Sequence, residues 1–277
     1  MDHDRTLTNR EGNRMPVPYI SITDFTDRQQ TETMLAVMGR AYAETPPSHR
    51  LGVGVMMSHK TLRGLPTRYD KVFPAKDKIS DIFLSHPLAF NTLHFADYES
   101  HSWRETASDF EEVVLWGGPQ MQALQLDMIW PDHELVRDFK RIYPHLKIIL
   151  QIGTFAFSAI EERPDKLLEK LKLYDSALDY ILLDRSMGQG RLLSPPFLEP
   201  FLDKLSEQRP DLGLVVAGGL GPETIELISL LIKKYLRLSI DAQSRLRPSG
   251  SMIDPIDWQM SQDYLKKAVR LFQLANA

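Results

Sequence analysis

Short runs of hydrophobic residues alternate with longer amphipathic segments along almost the whole chain. The short runs are rich in β-branched residues, as is typical of buried strands. They predict strands at 18–25, 50–57, 90–96, 123–129, 147–152, 180–183, 214–216 and 236–241. The amphipathic segments repeat apolar residues at the three- and four-residue spacing of a helix. They predict helices after Asp27, at 79–84, 107–115, 133–142, 166–173 and 197–208, from Pro222 onward, and at 255–274.

Eight predicted strands that alternate with eight predicted helices, at a repeat of about 25 to 35 residues, are typical of a parallel α/β protein. The number of strands favours a closed (β/α)8 TIM barrel. A doubly wound open sheet is the alternative. It usually has a glycine-rich turn after the first strand, whereas residues 21–25 of this chain contain no glycine. We predict a single barrel domain over residues 17–277, preceded by a polar, disordered tail at 1–16.

The longest predicted irregular connection covers residues 58–86, between the second and third strands. Gly64, Pro66 and Pro74 interrupt regular structure there. Loops of this length in compact domains usually have a function or are mobile.

Charge and composition narrow the classes of partner. The 277 residues carry a formal net charge of −4 and include no cysteine. A weakly acidic chain gives no sign of binding nucleic acid, and the lack of cysteine excludes disulfides, thiolate metal sites and a cysteine nucleophile. The sequence has no signal peptide pattern and no membrane-spanning run. We expect a cytoplasmic protein whose partner is a small molecule, with a homodimer left open.

In a barrel of this class, the chemistry lies where the strands end at their carboxyl side. Carboxylates crowded around one opening can shift one another's pKa values and act as acid and base, which suits proton transfer on a sugar or keto acid. Each aspartate also has a second interpretation, because Asp at a strand end commonly caps a helix or forms a turn. The polar residues predicted at these ends are Ser21, Thr23, Asp24, His94, Asp97, Asp127, Asp184 and Asp241.

The turn after the seventh strand contains Gly218, Gly219 and Gly221, followed by Pro222 and Glu223. Proline and an acid at the start of a helix match its spare N–H groups and positive end. Glycines before such a start let backbone N–H groups approach an anion, so the turn is a candidate phosphate site. The alternative is that the glycines only form a tight turn.

One motif lies on the fourth predicted strand, and three more lie at the ends of the sixth, seventh and eighth strands. They read Leu124-Gln125-Leu126-Asp127, Leu182-Leu183-Asp184 with Gly188-Gln189-Gly190, Ala217-Gly218-Gly219-Leu220-Gly221-Pro222-Glu223, and Asp241-Ala242-Gln243-Ser244. Together they resemble the motifs of phosphoribosylanthranilate isomerase, a barrel enzyme of tryptophan biosynthesis. The likeness is clear over about the last third of the chain.

The resemblance implies an Amadori rearrangement of a phosphorylated aminoaldose, a step of amino-acid biosynthesis. It implies that Asp184 is the general acid that opens the sugar ring, and we expect no cofactor and no metal ion. The family has glycine at the position of Arg245, which therefore either adds a charge to the site or lies on the surface. The resemblance places the phosphate near Gly188, Gly190, Gly218, Gly219, Gln243, Ser244 and Arg245.

The sequence departs from the family at the general base. The family has a cysteine on the first strand, and Ser21 stands at that position here. A serine hydroxyl has too high a pKa to act as a base without a partner. Asp24 or Asp127 could replace it, and Asp24 is the first choice because it lies on the rim of the same strand.

Three functions remain open on the sequence alone. The first is an isomerase of a phosphorylated sugar conjugate. The second is a phosphate-binding barrel that has lost or changed this activity. The third is a metal-dependent lyase or epimerase that uses His94, Asp97 and Asp127, although a buried, hydrogen-bonded role suits His94 better.

Overall fold

Eight parallel strands close into a barrel in the computed structural model, which describes residues 15–99, 101–186 and 192–276. Each strand pairs with the next one in the sequence, and the first pairs with the last through Ser21 and Asp241. The strands are β1 (Tyr19–Thr23), β2 (Arg50–Ser58), β3 (Ala89–Asp97), β4 (Ala123–Met128), β5 (Lys147–Gly153), β6 (Tyr180–Asp184), β7 (Gly213–Ala217) and β8 (Ser239–Ala242). The predicted (β/α)8 TIM barrel is confirmed.

Helices follow the strands on the outside of the barrel. Asp27 caps the first of them in a capping box with Gln30, as the sequence predicts. Ser102 and Glu105 form a second capping box, and α4 therefore starts well before the predicted residue 107. The helices are α1 (Arg28–Ala41), α2 (His59–Leu62), α3 (Ile79–Ile82), α4 (Trp103–Gly117), α5 (His133–Ile142), α6 (Thr154–Ala159), α7 (Pro164–Lys172), α8 (Pro195–Gln208), α9 (Ser229–Lys234) and α10 (Trp258–Ala275).

Aromatic residues fill the interior of the barrel at the amino-terminal end of the strands. The rings of Tyr19, Phe90 and Tyr180 have their centroids 5.0, 5.4 and 5.6 Å apart. The hydroxyl of Tyr180 donates a hydrogen bond of 2.8 Å to the carbonyl of Val17. Because side chains alternate between the two faces of a strand, the inward-facing polar residues further along each strand collect at the opposite, carboxyl end.

Two glycines of β2 make room for polar side chains of β1. A Cβ at Gly52 would lie 2.6 Å from Oγ of Ser21, and a Cβ at Gly54 would lie 2.7 Å from Oγ1 of Thr23. No larger residue fits there unless β1 shifts. The two glycines thereby let the hydroxyls of β1 point into the barrel.

The connection between β2 and β3 is anchored to the barrel. It contains α2, a 3₁₀ turn at Lys76–Lys78 and α3. Val72 and Phe73 are buried against Met56, and the ring of Tyr69 stacks on that of Phe73 at 4.9 Å. This segment forms one wall of the opening of the barrel.

The predicted helix from Pro222 is wrong at its start. Residues 222–224 form a turn, in which the Thr224 hydroxyl donates a hydrogen bond of 2.7 Å to the carbonyl of Gly219. A 3₁₀ turn at Ile225–Ile228 follows, and α9 begins only at Ser229. The predicted eighth strand also began too early, because residues 236–238 belong to the turn before β8.

Within the described ranges, no helix is both long enough and apolar enough to cross a lipid bilayer.

Candidate active site

A cavity of about 650 Å³ opens at the carboxyl ends of the strands. Its walls come from the connection after β2 and from the ends of β3 to β6 and β8. Five of the polar residues predicted at strand ends line it: His94, Asp97, Asp127, Asp184 and Asp241. Gln243 also reaches it, whereas Ser21, Thr23 and Asp24 are buried and are not among its lining residues.

His94 and Asp127 form an acid–base pair in this cavity. His94 is 5% exposed, and its Nε2 lies 3.3 Å from Oδ2 of Asp127. The Nε2–H bond does not align with that oxygen, so Nε2 stays available to a ligand. Burial lowers the pKa of His94, but Asp127, Asp241 and Asp24 together outweigh it, and the pKa is raised. The prediction of a buried, hydrogen-bonded His94 is confirmed.

Tyr98 holds the second oxygen of Asp127. Its hydroxyl donates a hydrogen bond to Oδ1 of Asp127. Burial and the negative charge of Asp127 raise the pKa of Tyr98, so it remains a donor at all ordinary pH values. Tyr98 therefore holds the Asp127 side chain in place next to His94.

Two glutamines connect His94 to Asp184. The Gln125 amide nitrogen lies 3.2 Å from Nδ1 of His94 and donates a bond of 2.8 Å to Oε1 of Gln151. The Gln151 amide nitrogen in turn lies 3.5 Å from Oδ2 of Asp184. An amide nitrogen can only donate, so Nδ1 of His94 accepts in this arrangement. Protonation of Nδ1 would require the Gln125 amide to turn over. The protonation of His94 is therefore coupled to the orientation of the hydrogen bonds that lead to Asp184.

Asp184 accepts further hydrogen bonds from its own loop. Its Oδ1 receives the backbone N–H of Ser186 at 2.8 Å and the Ser186 hydroxyl at 2.7 Å. These two bonds hold the carboxyl group of Asp184 in place. The position at the end of β6 is the predicted one.

Asp241 lies across the opening, at the end of β8. Its Oδ1 accepts a bond of 2.9 Å from the Thr23 hydroxyl, and the Ser21 hydroxyl is a further partner. Burial raises the pKa of Asp241 to about 6, against the opposing effects of His94 and Thr23. Ser21 and Thr23 therefore support an acid on the neighbouring strand and do not face the ligand themselves.

Asp241 gives the fold a pH dependence that can be measured. Its pKa is about 6 in the folded chain and 3.8 ordinarily, so between these values the folded chain holds a proton that the unfolded chain has released. The resulting stabilisation is present near pH 4 and lost as the pH rises through 6. A shift of about two units corresponds to about 3 kcal/mol. We therefore expect the free energy of unfolding of Asp241→Asn, measured in urea and taken relative to wild type, to be about 3 kcal/mol higher at pH 6.5 than at pH 4. An equal difference at both pH values would contradict the assignment.

Asp24 is tied into a buried ion pair. Arg247 contacts its Oδ2, and the Gln243 amide donates a bond of 3.0 Å to the same oxygen. Asp24 has a φ of 94°, a backbone conformation that few non-glycine residues adopt. Burial raises the pKa of Asp24, and Arg247 opposes that shift. The structure thus places the first-choice base against the loop after β8, away from the cavity lining.

The glycine turn after β7 meets the segment after β8. A Cβ at Gly221 would lie 2.7 Å from the carbonyl oxygen of Arg245, so the two backbones are in contact. Gly218 and Gly219 have φ values of 118° and 58°, which favour glycine. Ser244 is buried, and Gln243 lines the main cavity. The predicted phosphate-binding segments therefore come together, although α9 starts too late to offer its N-terminus.

Gly188 and Gly190, the other two predicted phosphate-binding residues, lie outside the described residues. A second cavity of about 290 Å³ lies next to Gly218 and is lined by Arg185 and Ser186 together with apolar residues of the β6–α8 connection. The Arg185 guanidinium stacks on the ring of Phe197 at 4.0 Å and pairs with Glu162 at 3.1 Å. This cavity therefore adjoins the glycine turn after β7.

The structure does not assemble the metal set of His94, Asp97 and Asp127. His94 and Asp97 are three residues apart on one strand, so their side chains leave opposite faces. His94 points into the barrel, and Oδ1 of Asp97 lies 3.2 Å from Nε2 of His101 instead. The third function loses the ligand set that the sequence suggested for it.

Some residues of the site were not predicted from the sequence. Gln151 is the single polar residue among the buried residues of β5, on the inward-facing parity, and that pattern could have identified it. Gln125 stands out in the same way on β4. Nothing in the sequence distinguishes Arg247 from a solvated arginine.

Comparison with known proteins identifies the fold. No family model matches the sequence, and neither does any curated protein. Among solved structures, TrpF from Jonesia denitrificans superposes with a TM-score of 0.51 at 15% identity, over 91% of this chain and 97% of that one. The tryptophan synthase alpha chain from Legionella pneumophila gives 0.52 at 12% identity, over 92% of both chains. Rubisco from Pyrococcus horikoshii gives 0.51 at 11% identity, over 94% of this chain and 58% of that one. The chain is thus a TIM barrel, with a fold similar to those of TrpF and the tryptophan synthase alpha chain.

Proposed function

We propose that this chain is an isomerase that moves a proton within a phosphorylated sugar conjugate. The observation that carries the proposal is the gathering of His94, Asp127, Asp184 and Asp241 on the wall of one cavity. The pKa of His94 is raised and that of Asp241 is about 6, so both can exchange protons near neutral pH.

Asp184 and the His94–Asp127 pair divide the acid and base roles. Asp184 remains our candidate for the group that delivers a proton to the sugar ring oxygen. The base moves from Asp24 to Asp127, because Asp127 lines the cavity while Asp24 is paired with Arg247. Tyr98 and His94 position the Asp127 carboxyl group, and Nε2–H of His94 is left to donate to the substrate. Proton abstraction beside a carbon–nitrogen double bond and reprotonation then complete an aldose–ketose rearrangement without any oxidant or cofactor.

The phosphate end of the substrate lies against the glycine turn. Backbone N–H groups of Gly218 and Gly219, with Gln243, Ser244 and Arg245 from the loop after β8, offer donors to a phosphate. The fold likeness to TrpF, a phosphoribosylanthranilate isomerase, and to the tryptophan synthase alpha chain supports a substrate of tryptophan biosynthesis. Phosphoribosylanthranilate is accordingly the substrate to test first.

The direct experiment is a turnover assay of the purified protein on phosphoribosylanthranilate, in which the loss of anthranilate fluorescence measures the reaction. Turnover supports the isomerase. Binding without turnover supports the second candidate, a barrel that keeps the ligand but has lost the chemistry. That candidate is favoured by one observation: Ser21 stands where the family has its base, and it contacts Asp241 and not the cavity. If the protein shows neither binding nor turnover, both candidate functions are contradicted.

Replacing Gly219 tests the phosphate end. Its φ of 58° and the close approach that backbone N–H groups need both exclude a β-branched side chain. We expect Gly219→Val to weaken the binding of inorganic phosphate by about tenfold, a loss typical of one charge-assisted hydrogen bond. Calorimetric titration with phosphate measures this. Gly219→Asn is the matched control for backbone strain, because Asn tolerates a positive φ. Unchanged affinity in a folded Gly219→Val variant would remove the site.

A further inference from the structure

Two histidines and three carboxylates form a separate cluster on the rim of the cavity, between β2 and α4. His59 begins α2, and His101 precedes α4. Their rings stack with centroids 3.9 Å apart. One ligand atom each from His59, His101 and Glu99 lie within 4.8 Å of one another, as do one each from His59, Asp97 and Asp109. The proton-transfer chemistry above uses none of these residues.

A buried carboxylate holds one nitrogen of each ring. Nδ1 of His59 lies 2.8 Å from Oδ2 of Asp109, which is fully buried. Nε2 of His101 lies 3.2 Å from Oδ1 of Asp97, which is 4% exposed. Metal-binding histidines are commonly fixed in this way, because the carboxylate sets the tautomer and leaves the second nitrogen as the ligand. Two such carboxylate–histidine pairs lie side by side here, and both carboxylates are buried, unlike those of a solvated surface cluster.

A second observation points to a missing ligand. Oδ2 of Asp97 is buried and has no hydrogen-bond partner among the described residues. An unpaired buried carboxylate oxygen is costly, and a bound cation is one of the few groups that satisfy it. Asp97, His59 and Glu99 all line the main cavity, so a cation there is accessible.

We propose that this cluster, made of His59, Asp97, Glu99, His101 and Asp109, binds one divalent transition-metal ion. His59, His101, Glu99 and Oδ2 of Asp97 supply the ligands, while Oδ1 of Asp97 and Oδ2 of Asp109 position the two rings. Two imidazoles with two carboxylates select Zn²⁺, Mn²⁺ or Fe²⁺ over Mg²⁺ and Ca²⁺, which prefer oxygen ligands alone. The two rings tilt out of their stack on binding, because the lone pairs of parallel rings cannot converge on one ion.

The neighbouring cations leave room for the ion. Arg63 is already paired with Asp109 and Glu112. Lys60 lies 3.2 Å from Glu99, but both side chains are about half exposed. An exposed pair of this kind contributes little, so releasing Lys60 from Glu99 costs little.

The test is a titration of the chelator-treated, full-length protein with Co²⁺, read by its visible absorption, and with Zn²⁺, read by calorimetry. Wild type should bind one ion per chain. His59→Ala and His101→Ala should each weaken binding by about 100-fold or more, and Asp97→Asn by about 10- to 100-fold. Glu99→Gln removes an exposed ligand, so it should weaken binding while leaving the circular dichroism spectrum unchanged.

Two histidine substitutions outside the cluster serve as matched controls. His145→Ala removes an exposed imidazole, and His3→Ala removes the imidazole nearest the amino terminus. Neither should change the affinity. Absence of saturable binding in wild type, or equal affinity in wild type, His59→Ala and His101→Ala, overturns the proposal. Because the measured quantity is metal binding, the result tests the metal site independently of the isomerase activity.

Discussion

Asp184→Asn should lower turnover of phosphoribosylanthranilate by about 10²- to 10⁴-fold, the contribution typical of a general acid or base. The amide keeps the shape of the carboxyl group but cannot exchange a proton. Its amide oxygen can still accept the hydrogen bonds from Ser186, so the loop should keep its place. We expect kcat to carry the loss and the affinity for inorganic phosphate to stay within about twofold. Steady-state kinetics and a phosphate titration measure the two quantities.

Three further variants make this result specific. Asp138→Asn makes the same substitution at an exposed position of α5 and should leave kcat unchanged. Asp127→Asn should lower kcat by a similar factor to Asp184→Asn if Asp127 is the base. Asp24→Asn should then affect stability more than kcat, and the reverse order would restore Asp24 as the base. If Asp184→Asn is as active as wild type, the catalytic assignment fails and the ligand-binding barrel replaces it.

Local pattern was enough to predict the barrel. Each strand is a short apolar run whose residues are buried on both faces, so its signal does not depend on partners far away in the sequence. The errors lie where local signals compete. Pro222 and Glu223 are genuine helix-start residues, but the turn made by Gly219 and Thr224 takes precedence. Helix α6, which follows β5 directly, has too few residues to show a period.

Which residues reach the site was only partly predictable. The rule that polar residues at strand ends face one opening placed Asp127, Asp184 and Asp241 in the cavity. It failed for Ser21, Thr23 and Asp24, which are buried and do not line the cavity. It could not reveal the partner of Asp24, because Arg247 is more than 200 residues away in sequence and only the closure of β1 on β8 brings the two together.

The pair of Arg247 and Asp24 should be among the most sensitive positions of the fold. Both side chains are almost completely buried, at 0% and 2% exposure. Arg247 also donates to the carbonyls of Asp254 at 2.6 Å and Gln243 at 2.9 Å, so one side chain fastens the loop after β8 to β1. Removing one partner of a buried pair leaves an uncompensated charge, at a cost of about 3–5 kcal/mol.

We therefore expect Arg247→Met to lower the free energy of unfolding by about 3–5 kcal/mol, measured by urea denaturation at neutral pH. Asp24→Asn combined with Arg247→Met should recover part of the loss, because no buried charge then remains unpaired. Arg163→Met is the matched control, since Arg163 and its partner Asp165 are both about half exposed, and stability should stay at the wild-type level. The loop that Arg247 fastens carries Gln243 and Ser244, so Arg247→Met should also weaken phosphate binding. A loss of stability no larger than that of Arg163→Met would show that the loop is held by its other contacts and that the pair is not what joins β8 to β1.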